Sequence, residues 1–334
     1  MTIRWGIAGT GRMAAVFAEE LRRVPDCVVG AVGSRDGDRA YSFAAGHAQP
    51  AGVHPVKAHG SYLDLAHDPD VDVIYVATPH PQHKAVALAA IEAGKAVLVE
   101  KAFTATLAGA REVVDAARAK RVFAMEGMWT RFQPAVVALR EVIGSGRLGE
   151  LVAVQGDLFS YRAYNPADRL FAPELGGGAV LDLGPYLVSF AQMLLGDPSE
   201  VQVRGTTYPN GVDASASFLL TYPGDAMATL MCSLRAEGPG RMVVVGTKGW
   251  AEVHPRFHHP TRLTVHRQGV LEHDFDLMPM GRGYTHEIIE VNQCLADGLT
   301  ESPVMPLDCT LSVMSVLQQA LDTLGNVQKD ADLA

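Results

Sequence analysis

Up to about residue 122 the chain alternates short apolar runs with longer stretches whose apolar residues recur at helical spacing. "IRWGIAG", "VVGAVGS", "VDVIYVATP" and "KAVLVEK" read as strands buried on both faces. "MAAVFAEELRRV", "HKAVALAAIEAG" and "LAGAREVVDAARAK" predict amphipathic helices between them. Strand and helix in alternation imply a parallel, doubly wound sheet. After "RVFAMEGMWTRF" and one further helix, "QPAVVALREVIGSG", the period changes. From residue 199 to about 277, strand-like runs are divided by the turn signals "YPNG", "YPGD", "GTKG" and "RQG", the pattern of a mainly antiparallel sheet. Two helical patterns, "THEIIEVNQCLADG" and "CTLSVMSVLQQALDTLG", follow it. The expected fold is α/β, with a doubly wound parallel sheet over residues 1–122 and an α+β domain on an open, mainly antiparallel sheet over 123–334. A length of 334 residues fits two domains, because single cores stop growing at roughly 250 to 300 residues.

One strand of the second sheet bears on assembly. In "AMATLMCSL", Ala226, Ala228, Leu230 and Cys232 point one way, and Met227, Thr229, Met231 and Ser233 the other. Both faces are largely apolar, whereas a sheet with one solvated face alternates more cleanly. Either helices cover both faces, or helices cover one and a partner subunit the other; the second is preferred, giving an expected homodimer. Charged residues are 19% of the chain and the net charge is −9, which argues against nucleic acid or an anionic membrane as partner. Cys27, Cys232, Cys294 and Cys309 lie far apart without zinc spacing. With "MTIRWGIAGTGR" leading directly into a strand, they point to reduced thiols in a cytoplasmic protein.

"GIAGTGRMA" follows the first strand and opens the first helix. Gly9 permits the tight turn, Gly11 lets the backbone approach a pyrophosphate, and Ala14 takes the third small position. Gly9, Thr10, Gly11, Arg12 and Met13 are therefore candidate cofactor residues of a Rossmann domain, with the helix N-terminus offering N–H donors to the phosphates. The second strand ends in "GSRDGD". An acid there would accept from the ribose hydroxyls of NAD and repel a 2′-phosphate, whereas Ser34 and Arg35 would bind one. The expected cofactor is NADP(H), with Arg39 also assigned to it and Asp36 the residue that blurs the signal.

"GIAGTGRMA", "VATPHPQH", "VEKAF", "MEGMWTRF", "LGGGAVLDLGPY" and "GTKG" occur in an order that resembles the glucose–fructose oxidoreductase/inositol dehydrogenase/MocA family over essentially the whole chain. "MEGMWTRF" and "LDLGPY" resemble the branch of dimeric dihydrodiol dehydrogenase and NADP-dependent D-xylose dehydrogenases. The resemblance implies hydride transfer between a nicotinamide and a carbinol or carbonyl carbon. It matches Lys101 to the lysine of a Glu-Lys-Pro motif, with Glu100 before it and Ala102 where proline is usual. It matches Tyr186 to the acid/base position and Asp182 to the acid one helical turn before it. Thr78, Pro79, His80 and His83 match a loop along the cofactor, His80 standing for a common asparagine.

A carbinol that loses hydride must also lose its hydroxyl proton, so a proton-exchanging group is needed beside the nicotinamide. Tyr186 alone is a poor base at a pKa of ~10, and a neighbouring ammonium such as Lys101 would favour the phenolate. The alternative is a core tyrosine with its hydroxyl bonded to backbone. Asp182 and Tyr186 would share a face of a helix that has begun by residue 182. Trp129, Arg131, Phe132, Phe159 and Tyr161 are candidates for the substrate pocket, against ordinary core packing. His254, His258 and His259 in "HPRFHHP" are set aside as a loop, and no metal site is expected. The expected activity is an NADP-dependent dehydrogenase or reductase of a small diol or sugar. The competing class is a non-catalytic NADP-sensing regulator.

Overall fold

The computed structural model describes residues 2–47 and 55–333. The chain begins with β1 (Ile3–Ala8), α1 (Arg12–Leu21), β2 (Cys27–Gly33), α2 (Gly37–Gly46), β3 (Lys57–His59) and α3 (Tyr62–Ala66). It continues through β4 (Val73–Val76), α4 (His80–Glu92), β5 (Ala96–Glu100), α5 (Leu107–Lys120) and β6 (Ala124–Gly127). Then come α6 (Pro134–Gly144), β7 (Leu151–Phe159), α7 (Ala179–Asp182) and α8 (Gly184–Leu195). Seven strands follow: β8 (Glu200–Thr207), β9 (Asp213–Thr221), β10 (Met227–Ser233), β11 (Met242–Gly246), β12 (Gly249–Val253), β13 (Arg262–Arg267) and β14 (Val270–Asp276). Helices α9 (Thr285–Ala296) and α10 (Leu307–Leu324) complete the described elements.

The contacts group into two compact units: Met1–Gly127 with Met280–Leu307 and Lys329–Ala334, and Met128–Pro279 with Asp308–Gln328. The change of period marked one boundary, at 122/123. Contacts place β6 in the first unit, because it pairs with β5, and α9 as well, because it packs on α1. Trp5 Nε1 donates to Asn292 Oδ1 of α9 at 3.2 Å. Periodicity identifies a helix but not the core its apolar stripe covers.

The first unit is built on a parallel six-stranded sheet in the order β3-β2-β1-β4-β5-β6. Every residue of β4 and β5 is buried, which is why these strands read as continuous apolar runs. Strand order reverses between β1 and β4, the place where open α/β sheets bind ligands beyond the strand ends. The arrangement is the expected Rossmann architecture. Two of its elements carried little sequence signal: β3 is a three-residue edge strand, "KAH", and β6 is the four residues "AMEG".

The second unit carries an eight-stranded sheet in the order β14-β13-β12-β11-β7-β10-β9-β8. It is antiparallel except where β7 runs parallel to β10 at its centre. Helices α6, α7 and α8 pack on the sheet. Val154 and Leu158 of β7 and Ala228, Leu230 and Cys232 of β10 are buried on one face. Met227 and Met231 on the other face are 41% and 40% exposed, so the described residues of this unit leave that face open.

Candidate active site

In the first unit the glycine loop has the shape its sequence requires. Gly9 sits at φ +118°, and a Cβ there would come within 2.8 Å of the Ala77 carbonyl oxygen. Gly11 is the N-cap of α1, and a Cβ on it would meet nothing within 4 Å. The space outside Gly11 is open, and the first turn of α1, Arg12 and Met13 included, carries no acid and no side-chain cap. Its N–H groups lack intrahelical partners by geometry and suit a pyrophosphate. Ala14 is fully buried beneath the loop. Thr10 lies between the two glycines, partly buried.

Asp36 follows β2 and immediately precedes α2. Its carboxylate caps α2, accepting from Asp38 N at 3.0 Å and Arg39 N at 3.1 Å. Ser34 is buried, and its Oγ accepts from Asp36 N at 3.2 Å. Arg35 and Arg39 are exposed and both act on the Tyr62 phenol, which burial pushes above the usual tyrosine pKa and the two guanidiniums pull down. Tyr62 was not singled out from the sequence; it opens α3, outside any motif.

Beyond β4, Pro79 is the N-cap of α4, and Thr78 Oγ1 is buried without a hydrogen-bond partner among the described residues. His83 is fully buried and spans two segments: Nδ1 lies 2.9 Å from the Ala102 carbonyl oxygen and Nε2 2.8 Å from that of Thr78. A neutral ring can donate to only one of these acceptors. His80 is buried, with its ring edge-on to His83 at 5.5 Å. His83 thus ties the 78–79 loop to the segment holding Lys101. Glu100, at the end of β5, accepts from the Tyr75 hydroxyl and from Lys101 N at 3.2 Å. The Lys101–Ala102 peptide is cis.

In the second unit, Trp129, Arg131 and Phe132 share one 3₁₀ turn, Trp129–Phe132. Trp129 Nε1 donates to the Tyr186 hydroxyl oxygen at 3.3 Å. Arg131 faces α8 instead: Nε donates to Ser189 Oγ at 2.9 Å, and Nη2 to Ser189 O at 3.2 Å and Gln192 Oε1 at 2.6 Å. Its observed contacts are those of a buried brace between the turn and the helix. Phe132 is buried; Phe159 packs on Gly238, and Tyr161 is 52% exposed.

Asp182 and Tyr186 lie on two successive helices rather than on one. α7 ends at Asp182, α8 starts at Gly184, and the chain bends by 44° between the flanking helical stretches. Pro185 in the first turn of α8 lacks the N–H that a continuous helix would use. Asp182 pairs with Arg169 at 3.2 Å. Tyr186 is buried in α8.

Of the three histidines in "HPRFHHP", His258 lies beside this tyrosine and His259 beside Trp129. The His258 ring is 5.0 Å from Tyr186, and His259 stacks on Trp129 at 5.6 Å and 12°. Burial and then Arg256 lower the His259 pKa, keeping the ring neutral at neutral pH. His254 lies apart in bonding, 3.0 Å from Thr264 Oγ1. Their only sequence signal was the run of ring residues in "RFHHP", which says nothing of a partner far away in the chain.

Two family models match the chain. Residues 3–128 match an oxidoreductase family with an NAD-binding Rossmann fold, and residues 136–252 match the GFO/IDH/MocA C-terminal domain. The chain belongs to the GFO/IDH/MocA oxidoreductase family. Trans-1,2-dihydrobenzene-1,2-diol dehydrogenases of Macaca fuscata fuscata and Bos taurus are each 38% identical to it over 97% of this chain and 98% of theirs. The human protein of that name is 37% identical over the same shares. Within the family the chain resembles this dihydrodiol dehydrogenase branch. Among solved structures, levoglucosan dehydrogenase in complex with NADH and levoglucosan superposes with a TM-score of 0.87 at 19% identity. An aldose–aldose oxidoreductase from Caulobacter crescentus superposes at 0.86 and 22%, each pair covering 97% of this chain and 98% of the other. These last two show the shared fold. The GFO/IDH/MocA protein is thus an oxidoreductase whose first unit is built for a nicotinamide dinucleotide.

Proposed function

We propose that this protein is an NADP-dependent dehydrogenase or reductase acting on a carbinol or carbonyl carbon of a small diol or sugar, with Tyr186 as the acid/base. The observation that carries the reading is the Trp129–Tyr186 bond. In it the phenol oxygen accepts, so this contact does not use the Tyr186 proton. An N–H donated to that oxygen also favours the phenolate, as a catalytic phenol needs.

The bound dinucleotide would supply the hydride acceptor or donor. Gly9, Thr10, Gly11, Arg12 and Met13 would hold its pyrophosphate, and Ser34, Arg35 and Arg39 a 2′-phosphate, Asp36 being occupied as a cap. Thr78, Pro79, His80 and His83 would line it, with Glu100 fixing the backbone at Lys101. Tyr186 would exchange the substrate hydroxyl proton, Lys101 is assigned to the same proton transfer, and Asp182 would orient a substrate hydroxyl. Trp129 and Phe132 would line the pocket. The diol class is taken from the dihydrodiol dehydrogenases that the chain resembles, and the sugar class from the likeness of "MEGMWTRF" and "LDLGPY" to D-xylose dehydrogenases. A screen of cyclic diols and aldoses with NADP and NAD, followed by absorbance of the reduced cofactor, tests the reading. Turnover of no diol or sugar with either cofactor would refute it.

The open face of the second sheet supports a homodimer. Leu219, Met227, Met231, Val243, Val245 and Trp250 lie on that face by strand register, beside Gln155, Ser217, Thr229 and Glu252, and its exposed apolar residues suit burial against a second copy. The four free cysteines fit a reducing compartment such as the cytoplasm.

A further inference from the structure

The three glycines of "GGGAVLDLGPY" precede a helix of only four residues, α7, which cannot hold its own shape in isolation. Its N-cap, Gly178, has no side chain to offer the amides that follow. The missing acceptor comes from Asp213, the first residue of β9 and fully buried. Asp213 Oδ2 accepts from Val180 N at 2.6 Å, and Oδ1 from Asn326 Nδ2 at 2.6 Å. Gly178 is at φ +126°, and a Cβ there would lie 2.2 Å from Asp213 Oδ1, so only glycine lets the carboxylate approach. Gly177 is held in turn: its carbonyl accepts from Gln328 Nε2 at 3.5 Å, and Gln328 donates to Asn326 Oδ1 at 2.8 Å.

Burying a charge costs several kcal/mol unless bonds to it compensate. A carboxylate placed here, with two close donors and the amides of a short helix, has one evident consequence. It fixes where α7 starts, and α7 delivers Asp182 and, after Leu183, the first turn of α8 with Tyr186. We propose that Asp213 is a positioning residue for the acid/base site: its carboxylate, steadied by Asn326, caps α7 from a distant strand and sets the placement of Asp182 and Tyr186. The inference rests on the reading of Tyr186 as acid/base.

A double-mutant cycle tests it. Asp213→Asn keeps the volume but exchanges one acceptor for a donor facing Val180 N–H or the Asn326 amide. NADP affinity, a property of the first unit, is expected to stay within about twofold. Turnover is expected to fall by about 10- to 100-fold, as for a misplaced reacting group, and Val180 amide exchange to accelerate. On a Tyr186→Phe background the same substitution is expected to cost less than about threefold, because the group it positions is gone. Full additivity, or unchanged Val180 exchange, would overturn the proposal. If Asp213→Asn does not fold, Asn326→Ala reads the same cycle by removing one of the two bonds, with the same outcomes. Near-normal turnover of Tyr186→Phe alone would overturn the acid/base reading and this inference with it. A large loss in Tyr186→Phe beside normal turnover in Asp213→Asn would overturn this inference only.

Discussion

Replacing Glu287 by glutamine isolates a buried proton. Glu287 is fully buried on α9, and neither carboxyl oxygen has a hydrogen-bond partner among the described residues. Burial first, and then the Glu100 carboxylate, raise its pKa well above the ordinary carboxyl range. The folded protein therefore keeps this proton over a pH range in which the unfolded chain has lost it. Its contribution to stability is complete below the unfolded value of ~4.3 and is lost as pH rises toward the folded value. The linked slope is about 1.4 kcal/mol per pH unit wherever the unfolded chain has lost the proton and the folded protein keeps it. Glu287→Gln is nearly isosteric and has no proton to lose. The variant is thus expected to gain on the wild type as pH rises from 5 to 7, at about 1.4 kcal/mol per pH unit of that window. Thermal melts of both proteins at pH 5, 6 and 7 measure the difference. Parallel Tm curves would show that Glu287 titrates normally and would refute the burial argument.

Three further outcomes follow from the geometry. Arg35→Ala is expected to weaken NADP binding by about 10- to 150-fold, from the loss of about 1.5 to 3 kcal/mol in charge-assisted bonds, with NAD binding nearly unchanged; equal losses by titration calorimetry would remove Arg35 from the 2′-phosphate. Arg131→Met, which strands the acceptors on Ser189 and Gln192, is expected to destabilise by about 3 kcal/mol in urea unfolding while KM for substrate changes little. A large KM increase with unchanged stability would make Arg131 a substrate ligand. The protein is expected to sediment as a dimer burying more than about 1,000 Å², and Met231→Glu to weaken it; a wild-type monomer at micromolar concentration would contradict the reading of the open face.

The Rossmann half was legible because its signals are local. Continuous apolar runs mark doubly buried strands, and Gly9 takes the positive φ of the turn after β1. The capping role of Asp36 emerged only with its two amide donors. The second unit was harder to read. "GAVLDLGPY" is apolar enough to pass for one helix, although Gly184 and Pro185 were the available sign of a break. The bonds of Arg131 left no local trace because its partners, Ser189 and Gln192, lie on a helix more than fifty positions later. Asp213, Asn326, His258 and His259 act through contacts between segments far apart in the chain, and no local pattern reports such contacts.

The central claim is that Tyr186 exchanges the proton that accompanies hydride transfer. Once the screen has identified a substrate, the decisive measurement is the turnover of Tyr186→Phe at saturating NADP, with cofactor affinity and Tm recorded on the same sample. Phenylalanine keeps the ring beside His258 and removes only the hydroxyl that Trp129 binds. The account predicts a folded protein with normal NADP affinity and a kcat lower by about 10²- to 10⁴-fold. A modest change in Tm with near-normal kcat would contradict it and make Tyr186 a core residue.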